Sequence, residues 1–155
     1  FVYDRPFLWG SKRTGPDLHR QGGRNPSSWH YKHMLNPRVT SAGSIMPRYP
    51  WLIARDLDRS QMVAKVELMK NTFDVPYTQA QVDSADVWAD NQAAAIVKDI
   101  FSEAADIKKA YADKKAADGE NFVPLEKKEI IALIAYLQRL GTDIKTTEIQ
   151  TASTN

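Results

Sequence analysis

The stretch Ser44-Ile45-Met46-Pro47-Arg48-Tyr49-Pro50-Trp51-Leu52 places one thioether directly before a proline, in a loop stiffened by a second proline and two aromatic rings. Proline lacks an amide hydrogen and has a locked φ, so Met46 stands on a stiff arm. Read as packing, Met46 fills a gap in an apolar interior, which is the usual work of methionine. Read as chemistry, it is a soft sulfur ligand for iron or copper.

Upstream lies Trp9-Gly10-Ser11-Lys12-Arg13-Thr14-Gly15-Pro16-Asp17-Leu18, followed by Gly22-Gly23. Its Gly-Pro-Asp-Leu turn fixes the direction of a backbone carbonyl, because Pro16 cannot rotate its own φ. Residues 1–57 hold six of the 8 Pro and three of the 4 Trp. That punctuation forbids long helices and favours tight turns around short helical pieces. One short helix is expected from Ser27 or Ser28 to Leu35, capped by a serine and stopped by Asn36-Pro37. The result is a loop-rich, aromatic wall that needs something to pack against.

The rest of the chain reads helical. Met62, Val66 and Met69 repeat at helical spacing after a cap at Asp58 or Ser60, ending before Pro76. Thr78 and Gln81 have capping-box spacing. Ser84 is expected to cap a long helix running to about Ala117, with Gly119 as its stop. Val97, Ala104 and Tyr111 recur every seven residues along it, with Ile100 and Ile107 interleaved, a seam suited to one partner helix. A last helix is expected from Leu125 to Leu140, with Ile130, Leu133, Ile134 and Leu137 on one apolar face and Gly141 as its end. The tail from 142 to 155 is polar.

At 155 residues with 43% hydrophobic and 26% charged composition, the chain fits one globular domain and excludes wholesale disorder. No apolar run is long enough to cross a bilayer. The chain opens at Phe1, and the expectation is a piece of a longer protein with any anchor or export signal upstream. The absence of Cys excludes disulfides, zinc-cysteine sites, thiol catalysis and self-attachment of a c-type haem. Residues 1–60 carry 10 Lys/Arg against 4 Asp/Glu. Those cations follow no helical stripe or nucleic-acid motif, so a solvated or protein-contact surface is expected and no nucleic acid. No P-loop, dinucleotide fingerprint, nucleophile elbow or metalloprotease motif is present. His19, His30 and His33 form the only metal-like cluster, and they have no obvious fourth ligand.

The order of these pieces resembles class I cytochromes c. Gly15 to Leu18 gives the Gly-Pro-x-Leu turn, Trp29 to Pro37 the short helix ending Asn-Pro, Met46-Pro47 the methionine arm, and Ile134 to Leu137 the terminal Ile-Ala-Tyr-Leu. The strings Trp-Gly-Ser-Lys-Arg-Thr-Gly-Pro-Asp-Leu and Ser-x-Met-Pro-x-Tyr-Pro-Trp-Leu resemble one family closely, the membrane-anchored mono-haem cytochrome c subunit (subunit II) of cbb3-type cytochrome c oxidases. The resemblance implies an all-α, cytochrome c-like domain over residues 1–141, with a loop-rich first segment and a helical insert at about 84–121. It implies that Met46 is the distal axial ligand of a haem iron and that Pro16 belongs to the turn orienting the proximal histidine. Tyr49, Trp51 and Trp9 match haem-side aromatics, and the Ser11 carbonyl matches a position near a calcium shared with the catalytic subunit.

The family attaches haem c through Cys-x-x-Cys-His, which lies upstream of the matched strings and is not in this chain. None of the three histidines here inherits the proximal role. The implied function is a non-catalytic electron-transfer subunit of a respiratory oxidase. It would relay electrons from a donor cytochrome c to the oxygen-reducing catalytic subunit, on the periplasmic side of the bacterial inner membrane, with a membrane helix upstream. Two other classes compete. One is a haem-free structural or assembly module built on residues 84–121, with Met46 merely packed. The other is a redox-inert metal-binding module using the histidines.

Overall fold

A computed structural model describes residues 15–142. Eight helices follow one another: α1 (Ser27–Leu35), α2 (Pro37–Thr40), α3 (Trp51–Ala54), α4 (Met62–Phe73), α5 (Gln79–Asp83), α6 (Ala85–Glu103), α7 (Ala105–Asp118) and α8 (Glu129–Arg139). Two short 3₁₀ turns, Gly119–Asn121 and Leu125–Lys127, join α7 to α8. The described residues form no strand, only an isolated antiparallel bridge between Asp56 and Lys128. The fold is all-α, as a cytochrome c-like domain requires.

The core forms where α8 meets α6. Ile130, Ile131, Ile134 and Leu137 are all buried, a spacing that keeps one face of α8 continuously apolar. The three isoleucines pack with Ile96, Val97 and Ile100 of α6, Ile107 of α7, and Leu125. Each such aliphatic side chain contributes about 1.5–3 kcal/mol when fully buried.

The long helix expected from Ser84 is two helices. Ala104 adopts extended geometry (φ −139°, ψ 93°) and breaks the run between α6 and α7. An unbroken helix of that length would extend about 50 Å, carrying its second half away from the core. With the break, Ile100 and Ile107 both reach the same interior, and Ala104 itself is buried. The seven-residue seam is therefore used, but folded around the core rather than along a straight partner. Tyr111 meets Phe101 at a tilt and Phe122 edge to face, with ring centroids 4.9 and 5.1 Å apart.

Several caps differ from the sequence expectation. Neither Ser27 nor Ser28 caps α1; Pro26 holds that position and both serines lie inside the helix. The Ser28 amide instead donates to Glu103 Oε2 of α6 at 2.9 Å. Ser84 donates its hydroxyl back to Ala80 O, leaving α6 without a side-chain cap. Gln61 holds the N-cap position of α4, not Asp58 or Ser60. The Thr78–Gln81 capping box forms as expected. The last helix begins at Glu129 because Leu125–Lys127 turn as 3₁₀ first.

Three attachments fix the first segment to the core. The Gly22 amide donates to Leu140 O at 2.9 Å, and Gln138 both accepts from the Gly23 amide and donates to Asn25 O. A Cβ on Gly22 would stand 2.5 Å from Gln138 O, so only glycine allows this approach. Lys32 of α1 pairs with Asp106 of α7 at 2.9 Å. After α3, Leu57 N–H bonds Lys127 O, and Lys128 reaches both Ala54 O and Asp56.

Candidate functional site: a methionine loop tethered to one helical turn

Residues 36–49 leave and rejoin the last turn of α1. The Asn36 amide donates to Lys32 O at 2.8 Å, and the Tyr49 amide donates to Met34 O at 2.9 Å. The two acceptors are two residues apart, so the loop closes on itself as a compact Ω-shaped excursion. Pro37 opens it at the first position of α2, where its missing amide costs nothing. The Ser41 amide bonds Pro37 O, the Ser44 amide bonds Ser41 O, and Gly43 supplies the positive φ (76°) that the turn between them needs.

Met46 sits on the returning limb, with its amide donating to Ser44 Oγ at 3.2 Å. The side chain is half-buried and belongs neither to the hydrophobic core nor to the residues packed against it. Its neighbours on the loop are strongly exposed: Ile45 at 79% and Val39 at 67%. Tyr49 and Trp51 meet edge to face with centroids 5.2 Å apart, and Trp51 keeps 43% of its surface exposed. The structure thus brings the Tyr49 and Trp51 rings together, with Met46 a few residues earlier on the same limb. Pro16 lies on a separate exposed turn that leads into the Gly22 attachment. Trp9 and Ser11, with the calcium expectation placed on Ser11, lie outside the described residues.

The base of the loop is braced by His33. Its ring stacks on Trp29 (4.4 Å, 11°), and its Nδ1 lies 2.5 Å from Thr40 Oγ1. His30, one turn back, is 2% exposed, and its Nε2 has no hydrogen-bond partner. Burial, with His33 nearby as a smaller influence, pushes the His30 pKa below the usual imidazole value. Burial likewise lowers that of His33. Both rings are neutral framework at physiological pH, and His19 lies exposed on the far turn. Among the described residues no group of three or more His, Asp or Glu side chains could hold a metal ion. The histidine cluster therefore acts as a brace rather than a ligand set.

A cavity of about 400 Å³ opens between α1, α2 and α7, lined by Tyr31, Leu35, Val39, Ile53, Tyr111 and Phe122 among others. None of Pro16, Met46, Tyr49 and Trp51 lines it. Sequence reasoning missed the two tethers and the Glu103 cap, since main-chain bonds and non-local caps leave no local pattern.

The residues present fit one side of a haem. A thioether held outside the core on a proline-stiffened loop is a soft axial donor, and the apolar residues beside it suit a porphyrin face better than water. They supply no covalent attachment, because there is no Cys.

Residues 1–144 match the family described as Cytochrome C oxidase, mono-heme subunit/FixO. The matched residues include those of α6 and α7. No curated protein matches the chain.

Proposed function

Since this chain belongs to the mono-haem subunit family of cytochrome c oxidase, we propose that Met46 is the distal ligand of its haem and that the chain relays electrons within a cbb3-type oxidase. The family makes it an electron-transfer subunit of a multi-subunit, membrane-associated complex that carries haem in the parent protein. The finer reading is a relay from a donor cytochrome c to the oxygen-reducing catalytic subunit, on the periplasmic side of the bacterial inner membrane. No helix among the described residues is long and apolar enough to cross a membrane.

When bound, the haem supplies a reversible one-electron couple. This chain's residues then have three tasks. Met46 would hold the iron through its Sδ, and a thioether ligand would raise the potential relative to harder donors. Ser44, Pro47 and the Tyr49–Met34 tether hold the arm that presents it. Tyr49, Trp51 and the exposed Ile45 would keep water from the bound group on this side.

The observation that carries the reading is the position of Met46, outside the core on a loop closed at both ends. Its test is Met46→Ala in the haem-loaded, full-length protein. The expected outcome is a changed haem absorption spectrum and a lowered reduction potential; an unchanged spectrum removes Met46 from the iron.

A second reading concerns α4 and the start of α6. Leu68, Met69, Phe73, Val87 and Trp88 are all more than 40% exposed, and no residue of α4 is buried. That surface favours a contact between these helices and another subunit of the same complex. Loss of co-purification with the complex in Phe73→Asp/Trp88→Asp, with the haem spectrum retained, supports it.

A further inference from the structure

We propose that the methionine loop is also the docking face for an acidic redox protein. This inference rests on the haem assignment above and goes beyond it by stating the partner's chemistry.

Residues 18–55 contain no Asp or Glu, yet they carry Arg20, Arg24, Lys32, Arg38, Arg48 and Arg55. Two of these cations, Arg38 and Arg48, lie on the Ω-shaped loop itself, which the tethers to Lys32 O and Met34 O keep compact. Both are exposed. Neither makes an ion pair or side-chain hydrogen bond with any described residue, whereas Lys32, Arg59, Lys114 and Lys128 are all paired with Asp. Among the described residues, no carboxylate pairs with either of the loop's cations.

Between them the loop shows Val39 and Ile45, at 67% and 79% exposure. An apolar centre flanked by unpaired guanidinium groups has the composition of a transient protein interface: small, dry in the middle and charged at its edge. Arginine is suited to this position because its planar fork pairs bidentately with carboxylates. A partner with acidic residues around an apolar patch is steered to it, and such steering raises association rates by 10- to 1,000-fold at low salt. The same loop holds Met46, so a partner seated there would lie beside the residue proposed above to hold the haem iron. An anionic lipid surface would match the charge equally but would cover that position, which favours a protein.

The haem-loaded, full-length protein tests this with two small reductants, anionic hexacyanoferrate(II) and cationic hexaammineruthenium(II). The wild type reduces faster with the anion, corrected for driving force. Arg38→Glu/Arg48→Glu lowers the hexacyanoferrate rate about 10-fold and raises the ruthenium rate. Lys65→Glu/Lys98→Glu, an equal charge change on α4 and α6, alters each by less than about 2-fold. Equal effects from both pairs overturn the proposal, because only net charge then matters. So does a loop variant with unchanged rates that no longer binds phosphatidylglycerol vesicles, since the loop then serves lipid. Met46→Ala runs in parallel. An unchanged spectrum there defeats the haem assignment itself, whereas a changed spectrum with equal charge effects defeats only the docking face.

Discussion

The core helix α8 and the methionine loop are both rich in apolar residues, and the fold treats them in opposite ways. On α8, Ile130 and Ile134 are completely buried, whereas on the loop Ile45 is 79% exposed. The difference lies in periodicity. Apolar residues at positions 130, 131, 134 and 137 share one buried helix face, and the three isoleucines among them find α6 opposite. On the loop, Pro47 and Pro50 prevent any repeating face, so the side chains stand outward where the backbone turns leave them. Stability is thus concentrated in α6–α8, and the loop adds little to it.

The sharpest way to break this comparison is to truncate one isoleucine in each region. Ile134→Ala leaves a cavity in the close-packed core and is expected to cost about 2–5 kcal/mol. Ile45→Ala touches only an exposed side chain and is expected to change stability by less than about 0.5 kcal/mol. Urea denaturation followed by circular dichroism measures both; similar midpoints would mean the loop contributes to the core after all.

The next largest effect lies where the two regions are fastened. Gly22→Ala puts a methyl group against the backbone oxygens of Gln138 and Leu140, neither of which can swing aside. Overpacking of this kind costs about 1–3 kcal/mol. Smaller again is Glu103→Ala. It removes the acceptor for the Ser28 amide at the start of α1, and loss of a cap costs about 1 kcal/mol. Because α1 carries the loop at its other end, amide exchange at Met46 and Tyr49 is expected to rise more in Glu103→Ala than exchange in α8. Uniform acceleration would show that loop and core open as one unit.

Much of this arrangement was legible in the sequence. The interval Ser27–Leu35, the Thr78 capping box and the stopping glycines Gly119 and Gly141 are local signals, and each appears where its spacing places it; on α8 Ile130, Ile134 and Leu137 are buried as expected, whereas Leu133 is only half-buried and Ile131 is buried beside them. Met46 could be singled out because proline marks a stiff arm in any context. The break at Ala104 could not be read, since alanine favours helix and only the need to return Ile107 to the core opposes it. The α4 periodicity gave a helix, but not the fact that its face stays uncovered. Glu103, Gln138 and the paired amide tethers act over long sequence separations, where no pattern of residue types announces a contact.

The smallest expected effect tests whether α1 belongs to the core or to the loop. His30 is buried with an unpartnered Nε2, and burial first, then His33, holds its folded pKa below the usual 6.5. The unfolded chain therefore binds the proton first as pH falls. Where the unfolded state holds more protons, stability rises with pH. The full contribution of the neutral ring is present above about 6.5 and is lost progressively below it, levelling once the folded ring also protonates. The depressed carboxyls of Asp58 and Asp106 titrate below 3.8 and do not overlap this window. Urea midpoints are expected to fall between pH 7.5 and pH 5, with a shallower slope in His30→Gln and a residual slope from His33. If the wild type and His30→Gln fall in parallel, the acid response arises elsewhere. If loop amides near Met46 lose protection over the same pH range while α8 keeps its own, protonation loosens α1 from the loop side, and α1 is the element through which pH reaches the methionine arm.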